Sequence, residues 1–269
     1  MTSSIVTLFI AELLLLPQST LCLYSYLYLF PKSLMSRILL LLYLIFSILN
    51  IYAEQQQMET LVLITKPCLL TLLSLWFYLQ LRPLRTCDVR FILAGLIFSI
   101  GGDVLLMLVG NGPKNEDFFL FGLFSFLIAQ VCYLIGFISF PGAKNGAIAQ
   151  KPWQAWPFIL YLFAIMGILW TSLPSSMRLP VGVYSLAIVS MTTAAYNLRP
   201  LLQKEIFIGL LAGVLLFVLS DSMIAINKFM GQTIRIPYPR ILIMATYLLG
   251  QYLIARGVVR AKEKSKIQV

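Results

Sequence analysis

Two aspartates and a lysine occupy positions where a chain this apolar should carry no charge. Lys66 lies in "LITKPCLL", Asp103 in "SIGGDVLLM" and Asp221 in "LSDSMIAINKF", each inside a stretch long and oily enough to cross a bilayer. An ionised side chain near the bilayer centre costs about 2.5–3.5 kcal/mol on insertion scales, so such residues mark pairing or function. Two carboxyl groups in a protein without histidine suit acid–base chemistry of a particular kind. Burial can hold one carboxyl protonated while a neighbouring ammonium holds another ionised, so that an acid and a base coexist at one pH. The same three charges would also suit a transport site, or a buried ion pair that fixes helix register. The residues alone leave these readings open.

The elements that must position these groups are membrane spans. Of the 269 residues 60% are hydrophobic and 11% charged, with a mean hydropathy of +0.90. Globular domains carry roughly 25% charged residues, so the composition is that of an integral membrane protein. A span needs about 20 apolar residues. Candidates fall at 5–29, 35–53, 60–79, 90–109, 117–140, 155–173, 179–197, 205–226 and 239–258, which makes nine. The first is interrupted by Glu12, Pro17 and Gln18. The N-terminus lacks the basic start of a secretory signal, and the reading is a retained helix. With nine spans, thirteen Lys and Arg gather on one side, including Arg82, Arg85, Lys144 and the tail residues Arg260, Lys262, Lys264 and Lys266. Five, including Arg178, Lys228 and Arg235, remain on the other. The positive-inside rule then places the C-terminus in the cytoplasm. It also accounts for the net charge of +10 without nucleic acid, which is not expected as a partner. Gly209 with Gly213, and Gly95 with Gly102, are small-residue pairs that mark close helix contacts. Cys22, Cys68, Cys87 and Cys132 are scattered and read as packing residues.

Depth brings the charges together. The span holding Lys66 begins on the less basic side, and those holding Asp103 and Asp221 end there. All three fall roughly 9–10 Å inside that face at helical rise. Tyr184 enters from the same side. Gln130 and Tyr133 share a helix face, as do Tyr247 and Gln251, somewhat deeper. The expectation is a cavity opening on the less basic side. Carboxylate pairs of this kind cleave acetals through an oxocarbenium-like transition state. A vinyl ether opens by a related route, in which protonation at carbon and addition of water give an aldehyde and an alcohol.

From Lys66 onward, successive motifs resemble those of the lysoplasmalogenase family, the YhhN-like membrane proteins. "TKP" (65–67), "GDVLLM" (102–107), "FGLFSFLIAQVCYLIGF" (121–137) and "VGVYSLAIVSM" (181–191) stand in the family's order. The closest likeness is "SDSMIAINKF" (220–229) followed by "PYPRILIMATYLLGQYLI" (237–254). The resemblance implies an all-α, polytopic membrane bundle with an eight-helix core at 34–258, an additional N-terminal membrane segment at 1–33 and a basic cytoplasmic tail at 259–269. It implies hydrolysis of the vinyl ether of lysoplasmalogens to a fatty aldehyde and glycerophosphoethanolamine or glycerophosphocholine, in a bacterial inner membrane or a eukaryotic endomembrane. The substrate is then a lysophospholipid, the surroundings are membrane lipid, and neither metal nor organic cofactor is expected. Carried over by position, Asp103 and Asp221 become the acid and base, in an order left open. Lys66 becomes a charge partner or phosphate contact. Gln130, Tyr133, Tyr184, Tyr247 and Gln251 line the pocket, and Asn227 and Lys228 stand at its mouth. One position departs from the family: Gln130 stands where a histidine is usual, and glutamine can hydrogen-bond but cannot shuttle a proton. A small transporter, or a lipid-binding relative without catalysis, would use the same polar residues.

Overall fold

The computed structural model describes residues 32–108 and 115–267. The expected first segment at 5–29 lies outside the described residues. The chain divides into two compact units, Met1–Ile38 and Leu39–Val269. Of the first unit, the described part is the opening turns of one helix; the second unit holds a helix bundle.

The described residues form eight long helices: α1 Lys32–Gln55, α2 Glu59–Leu81, α3 Cys87–Met107, α4 Asn115–Ile138, α5 Trp156–Trp170, α6 Ser175–Asn197, α7 Lys204–Met230 and α8 Pro239–Ile267. Short one-turn pieces between 143 and 155 link α4 to α5. Eight helices among the described residues are long and apolar enough to span a membrane, and the protein is a multi-pass, all-α membrane bundle. Helix is forced here, because a chain in hydrocarbon must satisfy its own backbone groups. Pro67 and Pro180 lie inside α2 and α6 without ending them, as packed membrane helices allow.

Neighbouring pairs close a ring. α2 packs on α3, α3 on α4, α4 on α6, α6 on α7, α7 on α8 and α8 back on α2, while α5 lies against α6 and α7. α1 is tied in by side chains: Tyr43 Oη donates to the Leu248 carbonyl at 2.8 Å, and Asn50 Nδ2 donates to Thr65 Oγ1 at 2.8 Å. Glycines set two of the contacts. A Cβ on Gly95 would stand 2.5 Å from the Tyr133 ring, and one on Gly102 would strike Phe126. α4 therefore lies close enough to α3 to aim Gln130 and Tyr133 inward. At the α7–α8 crossing, a Cβ on Gly213 would lie 2.7 Å from Leu253 Cβ and 2.9 Å from the Gly250 carbonyl. Gly209, the other half of the GxxxG pair, has nothing within 4 Å. Gly213 makes the crossing, and its partner is Gly250 of α8.

The last helix continues into the basic tail. α8 runs on to Ile267, and Lys262 is buried, its ammonium 2.5 Å from Asp88 Oδ2 at the start of α3 and 4.7 Å from the centre of the Phe140 ring. A carboxylate enclosed at the head of α3 needs a counter-charge, and the helix continues far enough to supply one.

Candidate active site

A narrow cleft, with about 70 Å³ of room for water-sized groups, opens among α3, α4, α5, α6 and α7. Its walls are mostly apolar, with Leu123, Phe126, Ile165, Val181 and Ile188 among them. Its polar groups are few: Asp221 and Ser222 of α7, Tyr184 and Ser185 of α6, and Tyr161 of α5. Such a wall suits a molecule with one oily part and one polar reacting part.

Asp221 is held from two sides. Tyr184 Oη donates to its Oδ2, and Gln130 Nε2 approaches the same oxygen at 3.4 Å. Both donors engage one carboxylate oxygen, which leaves Oδ1 for water or substrate. Asp103 is more enclosed, at 5% exposure, and its Oδ2 accepts from Tyr247 Oη at 2.8 Å. Gln251 bridges the neighbouring layer: its Oε1 accepts from Tyr133 Oη at 2.6 Å, and its Nε2 donates to Ser99 Oγ at 3.2 Å. Phe126 connects the two carboxylates' surroundings. Its ring lines the cleft, packs at Gly102 beside Asp103, and meets Tyr247 edge-on at 6.0 Å. The carboxylates lie within electrostatic range of one another.

The structure thus sorts the expected site residues into groups. Asp221 and Tyr184 stand on the cleft wall, with Gln130 behind them. Asp103 with Tyr247, and Tyr133 with Gln251, form two buried hydrogen-bonded pairs off the wall. Lys66 faces a different partner from the one expected, since its Nζ lies 3.2 Å from Glu54 Oε1 at the end of α1. It remains within electrostatic range of Asp103. Glu54 falls one residue beyond the span read at 35–53, which hid it from a reading by depth. Asn227 and Lys228 are exposed. Lys228 places its ammonium 4.0 Å over the ring of Phe119, a cleft-wall residue, and so stands near the cleft without lining it. Sequence reasoning also passed over Tyr161, Ser185 and Ser222. A lone tyrosine in "FILYLF" looks like an ordinary aromatic of a span, and the serines next to Asp221 and Tyr184 look like small packing residues.

Known proteins share the part of the chain that builds this geometry. The sequence model of the YhhN family matches residues 61–258, which contain both aspartates and every wall residue of the cleft. The chain belongs to the YhhN family. Over 175 residues it is 29% identical to the human protein named lysoplasmalogenase TMEM86A, covering 64% of this chain and 66% of the relative. The bovine protein of that name is 28% identical over 183 residues, with the same coverage. A Mycobacterium bovis lysoplasmalogenase is 28% identical over 180 residues, 65% of this chain and 62% of the relative. The chain thus spans a little under two thirds of the length of these curated relatives. No solved structure matches this YhhN-family chain.

Proposed function

We propose that this YhhN-family protein is a membrane hydrolase that cleaves the vinyl ether bond of lysoplasmalogens. Its products are a fatty aldehyde and glycerophosphoethanolamine or glycerophosphocholine. The observation that carries this reading is a carboxylate with one open oxygen, Asp221, on the wall of an apolar cleft inside the bundle. The names of the relatives supply the reaction class.

The geometry supports a division of roles. Asp221 keeps Oδ1 free of its two hydrogen-bond donors, so it is assigned the activation of water through that oxygen. Asp103, buried behind the cleft wall, is assigned the proton. That proton adds to the vinyl carbon remote from oxygen and leaves an oxocarbenium ion. Water attacks the carbon that bears the ether oxygen and gives its proton to Asp221. In the resulting hemiacetal the glycerol oxygen takes the proton held by Asp221, its bond to carbon breaks, and the remaining hydroxyl returns its proton to Asp103 to form the aldehyde. Substrate and water enter, aldehyde and alcohol leave, and no net proton is consumed. Gln130 serves here by hydrogen bonding, which needs no proton shuttle. Lys228, at the edge of the cleft, is assigned to the headgroup phosphate, and Asn227 beside it to the same polar rim. The thirteen basic residues on one side orient the chain with its C-terminus in the cytoplasm.

A second reading has one observation in its favour: Asp103 does not line the cleft, so the same cavity could hold a lysolipid without turning it over. Aldehyde release by detergent-purified protein from a defined lysoplasmalogen separates the two. Turnover that Asp221→Asn abolishes supports the hydrolase. Thermal stabilisation by lysolipid with no aldehyde formed supports the binding protein and overturns the hydrolase.

A further inference from the structure

Two hydroxyls on the cleft wall have no part in the acid–base steps. Tyr161 of α5 and Ser222 of α7 line the cleft and are hydrogen-bonded to each other. Ser222 follows Asp221 in the chain, so the pair stands beside the open carboxylate. The direction of the bond can be assigned. Ser222 Oγ donates to the Val218 carbonyl at 2.6 Å, and a serine hydroxyl has one hydrogen to give. Tyr161 must then donate to Ser222 Oγ. The Tyr161 oxygen keeps its acceptor capacity on a wall that is otherwise mostly apolar.

We propose that the Tyr161–Ser222 pair reads the free sn-2 hydroxyl of the lysolipid. That hydroxyl donates to Tyr161 Oη, and the pair selects one-chain vinyl ethers over those whose sn-2 oxygen is acylated. This inference rests on the hydrolase reading and names the residues that set its substrate class. The chemistry requires proximity: the sn-2 oxygen sits on the carbon next to the one bearing the vinyl ether, so whatever reads it must stand next to the reacting carboxylates. An acylated sn-2 oxygen has no hydrogen to donate and would press a second chain against α5. The size of the preference follows from the resting state. Without a substrate hydroxyl, Tyr161 still donates to Ser222 and no buried donor is orphaned. The discrimination is then that of one neutral hydrogen bond, roughly ten-fold, and not the 10⁴-fold or more seen where a buried group is left unpaired.

The test compares kcat/KM for a lysoplasmalogen and its 2-deoxy analogue, using the purified full-length protein and Tyr161→Phe. The wild type is expected to prefer the hydroxylated substrate by about ten-fold. Tyr161→Phe is expected to bring the ratio close to one by slowing the hydroxylated substrate alone. Equal use of both substrates by the wild type overturns the sn-2 reading while the hydrolase stands. Equal slowing of both by Tyr161→Phe also overturns it, because that is the mark of a purely structural contact between α5 and α7. Should Tyr161→Phe fail to fold, Ser222→Ala carries the same comparison, since it removes the acceptor that holds the phenol in place, and an unchanged ratio would count against the proposal. Absence of aldehyde from the wild type with either substrate overturns the hydrolase, and this inference with it.

Discussion

Asp221 and Asp103 carry the same functional group in different settings, and those settings predict different responses to substitution. Asp221→Asn is expected to lower aldehyde release by at least about 100-fold, the scale of a lost general base. Asp103→Asn should do the same if it supplies the proton, and size-exclusion profiles of both variants should match the wild type. Full activity in either variant would remove that residue from the mechanism. Tyr184→Phe takes one of two donors from Asp221 and should slow kcat by roughly ten-fold, the worth of a hydrogen bond to a charged group. Lys66 calls for a different expectation, because Glu54 is its partner. Lys66→Met should lower the thermal midpoint, and Lys66→Met with Glu54→Gln should recover most of the loss, since the second change discharges the stranded carboxylate. The aspartates were legible in the sequence because a charge within an oily run is conspicuous. Tyr161 and Ser222 were not, because hydroxyls within a span are common and only the cleft makes them neighbours.

At the scale of helices, contacts follow from shape at single positions. Gly213→Val should destabilise the bundle, since even a Cβ there would meet α8 backbone and Leu253 at under 3 Å. Gly209→Ala, one turn away, should leave the thermal midpoint unchanged or slightly raised, because it faces open space and alanine is the better helix former. A GxxxG motif in the sequence predicts the two to behave alike, so thermal unfolding of both in detergent discriminates the motif from the geometry. The Asp88–Lys262 pair gives a second test. Lys262→Met leaves an enclosed carboxylate without its ammonium and should cost about 3–5 kcal/mol, while adding Asp88→Asn should restore much of it. That pair joins the start of α3 to the end of α8, elements well over a hundred residues apart.

For the molecule as a whole, orientation is the testable property. Cys87 is exposed at the head of α3, which lies on the same side as the end of α8 if successive helices cross in alternate directions. With the other cysteines replaced, a membrane-impermeant thiol reagent should label Cys87 in inverted vesicles and not in intact cells. Labelling from outside would reverse the proposed topology.

The sequence by itself determined the class of the molecule. Bilayer crossing requires long apolar helices, and that requirement is written residue by residue in the chain, so α1 to α7 could be read within a few residues of their ends, whereas α8, read to 258, runs on to Ile267. It also determined which charged groups were out of place, because the penalty for charge in lipid does not depend on the fold. Partners were decided by tertiary structure alone. Depth along a helix follows from counting residues, whereas the direction a side chain faces depends on which helices pack beside it. Lys66 therefore meets Glu54, Asp221 and Tyr184 face the cleft, and Asp103 turns to Tyr247 in the interior, at depths the sequence had made look alike.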